Sequence, residues 1–251
     1  MLVSSGNMTG YDALFLGQAV TILDLLEDAE IDFHIAVVTT DDAHFQGTEP
    51  LMTPTNPDLL SAFQDAADVG DGGASPEQGL KMAVDALPPP LASPGGFNDH
   101  FLRDEAGLQV VFHASEDDQS PNAAGYYVQQ LQSLKLFPED VVISGIIRQD
   151  TPSPEFETAI AATGGTVLNI NEDWWTGLPD LIDGMVTLND SFPLSVSPIP
   201  DTVQVSVDGA PVWSGWALVE SLDVIVFEPA AVPSPGSEIA ITYHPWCDCG
   251  F

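Results

Sequence analysis

The sequence predicts an α/β protein in two parts, a doubly wound, mostly parallel sheet followed by a small antiparallel β appendage. Up to about residue 190, apolar runs of strand length alternate with stretches of helical periodicity. That alternation is typical of a parallel sheet with helices on both faces. After Ser191 the chain changes to short segments with period-two alternation, and Asp208 and Gly209 form a hairpin signal between two of them. We therefore expect an α/β domain over 1–190 and a β-rich appendage over 191–251.

The stretch 107–120 is the centre of the predicted sheet. Residues 108–112 form a short apolar run rich in β-branched side chains, which is typical of a strand buried on both faces. Ser115, Glu116, Asp117 and Asp118 follow directly, so the strand would deliver them to the carboxyl edge of the sheet. Ligands of open α/β sheets bind at that edge. The alternative is that the acidic cluster is only a solvated loop.

The remaining elements follow from periodicity and from breaker residues. Residues 1–3 are too short for a strand, and the linker is expected over 193–200. Ser75 is the expected N-cap of the helix at 76–87, with Pro76 at its first position and Gln78 at its third. The predicted helices are 11–28, 57–67, 76–87, 122–135, 154–163 and 174–188, and the predicted strands are 31–40, 108–112, 141–147, 166–170, 202–207, 212–218, 223–227 and 238–243.

The net charge of the chain excludes some classes of binding partner. Against 38 acidic residues stand only 4 lysines and arginines, so the formal net charge is −34. A surface of that sign repels nucleic acid and anionic lipid, and it suits divalent cations, basic proteins or a saline habitat. Salt would screen the self-repulsion, because the Debye length falls to roughly 3 Å near 1 M. We take a saline habitat as the first explanation.

Cysteine usage and hydropathy add little about function. Cys247 and Cys249 make a lone C-x-C pair, too few ligands for a zinc site unless His244 joins them, and a tight disulfide or two free thiols are the favoured alternatives. No apolar run approaches the ~20 residues of a membrane span. The first residues lack the pattern of a signal peptide.

Several segments carry a resemblance to a known family. They are LVSSGNM at 2–8, DFHIAVVTTD at 32–41, GDGGASPEQGL at 70–80, HFLRDEAGLQVVFHASEDDQS at 100–120 and TGG at 163–165. In this order and spacing they resemble a von Willebrand factor type A (VWA) domain of the bacterial secreted or surface-lipoprotein branch. The tail resembles the β appendage of those proteins. The resemblance implies a Rossmann-like sheet, and it leads us to expect the rest of the first strand, and a lipoprotein signal, upstream of Met1.

VWA domains often hold Mg²⁺ at the carboxyl edge of the sheet, in the metal-ion-dependent adhesion site (MIDAS). The family motif is Asp-x-Ser-x-Ser, a hydroxyl from a second loop, and an Asp after the central strand. Carried onto this sequence, the first Asp falls on Val3 and the two serines fall on Ser5 and Asn7. The second-loop hydroxyl falls on Ala74, next to Ser75, and the last Asp falls on Ser115.

Both carboxylates of the motif are therefore replaced, and the resemblance implies a degenerate site. Hydroxyls and an amide alone would not offset the dehydration of a divalent cation. We expect no cofactor and at most a weakly held Ca²⁺ or Mg²⁺, with Asp41 and Asp117 as the acids available to compensate. The predicted ligand-binding rim comprises Ser5, Asn7, Asp41, Ser75, Ser115 and Asp117.

The function expected from this reasoning is a non-enzymatic binding or adhesion module, extracellular, periplasmic or at the cell surface. Its partner would be a protein ligand or surface component, with membrane contact only through a lost lipid anchor. A structural assembly subunit is the alternative, with Trp174, Trp175, Trp213 and Trp216 either forming a contact surface or packing the domains. A Ca²⁺-dependent binding protein or a hydrolase is disfavoured, because the sequence has no G-x-S-x-G motif and His113 and Ser115 have no visible orienting partner.

Overall fold

A computed structural model describes residues 1–4, 8, 10–70, 75–104, 106–150, 152–185, 190–228, 230–234 and 236–246. The chain divides into two compact units, Met1–Thr187 and Leu188–Phe251. Among the described residues, no helix is both long and apolar enough to cross a lipid bilayer.

Unit 1 is built on a parallel sheet of five strands in the order β2-β1-β3-β4-β5 within the described residues. The strands are β1 (Leu2–Ser4), β2 (Val37–Thr39), β3 (Leu108–Ala114), β4 (Val141–Ile147) and β5 (Val167–Asn169). Its helices are α1 (Tyr11–Gly17), α2 (Ala19–Asp28), α3 (Leu59–Ala67), α4 (Gly79–Asp85), α5 (Ala124–Gln132), α6 (Pro154–Thr163) and α7 (Leu178–Met185), with 3-10 turns at Pro138–Asp140 and Trp174–Gly177. The predicted α/β fold class is confirmed.

The sheet separates two apolar layers because successive side chains of a strand point to opposite faces. On β3, Phe112 packs into the cluster that covers α4, α5 and α6, whereas Val111 packs against the cluster that contains α1, α2, α3 and α7. Helices therefore cover both faces of the sheet. Val3 and Leu2 divide in the same way on β1.

The predicted place of β3 at the centre of the sheet is confirmed. Val37 of β2 and Val111 of β3 both pair with Leu2, so they lie on either side of β1. The prediction that residues 1–3 cannot form a strand is wrong. Leu2–Ser4 is a strand because β2 and β3 supply hydrogen bonds on both sides, and Val3 is fully buried.

Other helix and strand limits differ from prediction for local reasons. The single helix expected over 11–28 is two helices that meet at Gln18. The helix expected from Pro76 begins at Gly79, with Gln78 as its N-cap residue. By contrast, α6 has the predicted limits, Pro154 to Thr163, and the left-handed residue Gly164 follows it.

Unit 2 contains two three-stranded sheets in its described residues, β6-β10-β9 and β11-β7-β8. The strands are β6 (Ser191–Pro193), β7 (Gln204–Val207), β8 (Ala210–Val212), β9 (Trp216–Val219), β10 (Val224–Phe227) and β11 (Ile239–Thr242), with a 3-10 turn at Pro200–Thr202. All pairings are antiparallel. Val205, Ile225 and Phe227 are buried at the centre of its apolar cluster.

The hairpin predicted at Asp208 and Gly209 is confirmed, because both residues have positive φ (51° and 75°) and they join β7 to β8. The single strand predicted over 212–218 is wrong. It is the end of β8 and the start of β9, which lie in different sheets. Gly215 allows the bend between them with φ 84°, and a Cβ there would lie 2.6 Å from Ala231 Cβ.

Candidate functional site at the carboxyl edge of the sheet

The carboxyl ends of the five parallel strands of unit 1 form one edge, and the predicted rim residues that the structure describes lie along it. Ser115 follows β3 directly and is buried, while Asp41 follows β2 and is exposed. Ser75 is exposed in the turn before α4. Ser5 and Asn7 lie outside the described residues. Asp41 Oδ1 accepts a hydrogen bond of 2.7 Å from Thr39 Oγ1, so this carboxylate closes a local turn.

Asp117, in the loop after β3, caps the N-terminus of α6, a helix that is distant in sequence. Its two carboxylate oxygens accept hydrogen bonds of 3.3 Å from the backbone N–H groups of Glu155 and Phe156, in the first turn of α6. The N-cap residue of that helix, Ser153, instead donates its hydroxyl to Arg148 O at 3.2 Å. Asp117 thus satisfies donors that the helix leaves unpaired and places negative charge at its positive end.

Asp118 does the same for α4 and is buried. Its Oδ1 accepts from Leu80 N at 2.9 Å and from Ser120 Oγ at 3.0 Å, and its Oδ2 accepts from Ser120 N at 2.9 Å. Ser120 Oγ in turn accepts from Lys81 N. Burial raises the pKa of Asp118 although these hydrogen bonds oppose the shift. Both oxygens of Asp117 and of Asp118 are therefore occupied by donors of the chain.

Val3 and Ser115, the described positions where the metal motif has its two carboxylates, carry no carboxylate. Val3 has no donor atom and is fully buried in the apolar layer. Ser115 donates its backbone N–H to Met8 Sδ at 3.1 Å. Within the described residues, no group of three or more His, Cys, Asp or Glu side chains is arranged to hold a metal ion.

Two buried polar pairs beside the edge were missed by sequence reasoning. Ser4 Oγ lies 3.3 Å from His113 Nδ1, and both residues are 1% exposed. The His113 ring lies 4.5 Å from the ring of Phe15, and its Nε2 has no hydrogen-bond partner among the described residues. Burial lowers the pKa of His113 to about 3, so its ring is neutral. The second pair is Thr40 and the buried Glu77, whose carboxylate accepts from the Thr40 hydroxyl.

Neither pair has a sequence signal strong enough to find it. His113 stands at an ordinary strand position, and Ser4 is more than 100 residues away. Only the occurrence of a histidine within an apolar run pointed to a buried imidazole.

Arg148 follows β4 at the carboxyl edge and contacts Tyr11 and Asp150. Its Nη2 donates to Tyr11 Oη at 3.3 Å, and Tyr11 Oη donates to Asn171 Oδ1 at 2.7 Å. Its Nε lies 3.3 Å from Asp150 Oδ1, close enough for an ion pair but without the geometry of a hydrogen bond. The contact with Tyr11, followed by the charges of Asp150 and Glu116, raises the pKa of Arg148. Glu116 is exposed.

Comparison with known proteins gives a likeness of fold alone. No protein-family model matches the chain, and no curated protein does. Among solved structures, the chain is similar to a von Willebrand factor type A protein from Catenulispora acidiphila, with 13% identity and a TM-score of 0.47 over 98% of this chain and 57% of that one. It is also similar to proximal thread matrix protein 1 from the mussel byssus, with 11% identity and a TM-score of 0.43 over 78% and 48%. The chain spans about half the length of these proteins.

The topology of unit 1 agrees with the family resemblance of the sequence segments. The resemblance implied a Rossmann-like sheet, and the described residues form a parallel sheet of five strands covered by helices on both faces. Unit 1 therefore has a Rossmann-like α/β architecture that fits the VWA fold, and unit 2 is a separate small antiparallel β structure.

Proposed function

We propose that unit 1 is a non-enzymatic binding module that contacts a protein partner through the carboxyl edge of its sheet, without a bridging divalent cation. The observation that carries this proposal is the use of Asp117 and Asp118 as helix caps. Asp117, one of the acids available to compensate for the replaced motif carboxylates, and its neighbour Asp118 already accept hydrogen bonds from donors of the chain. Glu116 remains exposed beside them, available to a partner.

Two further observations support a binding role. The carboxyl edge is where open α/β sheets present ligand sites. The serine–histidine contact near this edge, Ser4 with His113, is 1% exposed at both residues, so a substrate has no access to it. An extracellular or cell-surface location is part of the proposal, and the 38 acidic residues against 4 basic ones support a saline setting for it.

A direct test compares capture of partners by two charge-reversal variants. Glu116→Lys changes the carboxyl edge, whereas Glu139→Lys changes an exposed residue just before β4, at the opposite edge. Immobilised protein is exposed to surface proteins of the organism that encodes it, with EDTA or with Mg²⁺. We expect the Glu116→Lys variant alone to lose the captured protein, and we expect EDTA to have no effect. Equal capture by both variants, or capture abolished by EDTA, would refute the proposal.

A structural assembly role for unit 2 is the second candidate. Trp213, between β8 and β9, is 81% exposed, and Trp246 is 65% exposed. Exposed tryptophans are enriched in protein interfaces. Size-exclusion chromatography of the purified protein tests this role. If Trp213 joins copies of the chain, Trp213→Ser should change the oligomeric state, and otherwise the oligomeric state should stay the same.

A further inference from the structure

A recess of about 500 Å³ opens at the carboxyl edge of unit 1, between the start of α1 and the residues that follow β5. Its lining combines two aromatic rings, two aliphatic side chains and a run of polar residues. The lining residues are Gly10, Tyr11, Leu14, Ile170, Asn171, Glu172, Asp173 and Trp175. None of the predicted rim residues that the structure describes belongs to this lining.

The aromatic walls of the recess are held in place before any ligand arrives. The hydroxyl of Tyr11 is fixed between Arg148 Nη2 and Asn171 Oδ1. Trp175 lies edge-on to the buried ring of Trp174, with 6.1 Å between the ring centroids. Both Tyr11 and Trp175 are partly exposed. A fixed aromatic face binds without the entropy cost of ordering a mobile side chain.

The charged side chains in the lining are acidic, although the guanidinium of Arg148 reaches Tyr11 Oη from outside the lining. Glu172 and Asp173 are exposed at its mouth. The four lysines and arginines of the chain all have other partners. Lys81 pairs with Asp85, Arg103 with Asp32 and Arg148 with Asp150, and Lys135 donates to the carbonyl of Arg103. Glu172 and Asp173 therefore have no lysine or arginine partner among the described residues, and a cation for them would come from another molecule.

We propose that the recess receives a lysine or arginine side chain from a basic segment of the protein partner. The cation would lie against the faces of Tyr11 and Trp175 and near the carboxylates of Glu172 and Asp173. Aromatic rings attract cations through their quadrupole, and the carboxylates add direct charge complementarity. This inference rests on the proposed function, because the recess lies on the edge proposed for binding, and it adds the chemistry of the partner.

Titration with a defined peptide tests this assignment. The probe is a fluorescent peptide of three lysines separated by glycines, and its control is the same peptide with acetylated lysines, both in buffer at about physiological ionic strength. The double variant Glu172→Gln/Asp173→Asn removes two charges from the recess. The matched control Glu27→Gln/Asp28→Asn removes two neighbouring exposed acids at the end of α2. It therefore reports the general attraction of an acidic protein for a cationic peptide.

We expect the recess variant to raise the Kd for the lysine peptide about five- to tenfold, and the α2 variant to change it less than about twofold. Trp175→Leu should weaken binding by a similar factor at unchanged net charge, and the acetylated peptide should not bind. An equal loss in both charge variants would overturn the inference, since the attraction would then be general. Tighter binding of a neutral oligosaccharide such as maltohexaose, abolished by Trp175→Leu, would overturn it in favour of a sugar ligand.

The capture experiment separates this inference from the proposed function. Loss of the captured protein with Glu116→Lys but not with Glu172→Gln/Asp173→Asn would leave edge binding in place and remove the cation recess. Recess-dependent peptide binding with no edge-dependent capture would remove the proposed function instead.

Discussion

At the scale of single residues, two neighbouring acids serve two different helices. Asp117 accepts from the first turn of α6, and Asp118 accepts from the first turn of α4. Each cap joins the loop after β3 to a helix that is distant in sequence. Loss of either carboxylate would leave helix donors unpaired and would loosen the carboxyl edge.

The first prediction concerns Asp117. Replacement by alanine should destabilise unit 1 by about 1 kcal/mol, the usual cost of a lost helix cap. Asp117→Asn should cost less, because an amide oxygen still accepts one of the two hydrogen bonds. Urea unfolding measures both, with Asp24→Ala, at an exposed position on α2, as the control. Equal stability of Asp117→Ala and Asp24→Ala would show that the cap is not formed.

The second prediction concerns His113 and acid. Burial lowers the pKa of His113 from its ordinary value of 6.5 to about 3 in the folded protein. The unfolded chain therefore takes up a proton that the folded chain does not. The stabilisation is present above about pH 6.5 and is lost as the pH falls towards 3, by about 1.4 kcal/mol per pH unit.

His113→Leu should remove this dependence. Between about pH 6.5 and pH 4.5 the wild-type protein should lose about 2 kcal/mol more stability than the variant. Urea unfolding at the two pH values measures the difference, whatever the variant does to stability at neutral pH. His100→Asn, at a side chain that is 82% exposed, is the control and should behave as wild type. Parallel pH profiles for His113→Leu and wild type would contradict the burial of a neutral ring.

At the scale of secondary-structure elements, the sequence predicted the limits of an element correctly where neighbouring residues determine them. The strand at 141–147 and the helix at 154–163 have the predicted limits, because a continuous apolar run and a Pro-to-Gly helix frame determine them. The start of α4 was mispredicted because its capping group, Asp118, is 38 residues away from Leu80. The rim was harder to predict than these elements for the same reason. Contacts between segments that are distant in sequence determine which donors its carboxylate oxygens accept from.

The third prediction tests the packing between α6 and β5. A Cβ on Gly165 would lie 1.8 Å from the carbonyl oxygen of Ile143, a backbone atom that cannot move away without disturbing β4. Gly165→Ala should therefore destabilise unit 1 by several kcal/mol or prevent folding. Gly125→Ala is the matched control, because a Cβ on Gly125, in α5, would meet no atom of the described residues within 4 Å. It should raise stability by about 0.5–1 kcal/mol in the same urea assay.

At the scale of the whole molecule, the dominant feature is the net charge of −34. Only four lysines and arginines oppose it, so most of the 38 carboxylates cannot pair with a basic side chain. Like charges spread over a surface destabilise the compact state, and the effect weakens as salt shortens the Debye length. Composition alone predicts this property, because it depends on the number of charges and hardly on their exact positions.

The fourth prediction follows from that charge. The melting temperature should rise by a few degrees between about 0.1 and 1 M NaCl, and equimolar KCl should have the same effect because screening depends on ionic strength. Differential scanning calorimetry in the two salts checks this. A melting temperature that is indifferent to salt, or one that responds to only one of the two cations, would argue against screening.

The position of β1 has a consequence for how the chain folds as it is synthesised. The strand Leu2–Ser4 pairs with Val37–Thr39 on one side and with Leu108–Ala114 on the other. A nascent chain that has not yet reached residue 108 therefore carries β1 with one open edge. An open edge of apolar strand is a template for pairing with another chain. The growing polypeptide is therefore exposed to pairing with other chains in the interval between the synthesis of β2 and that of β3.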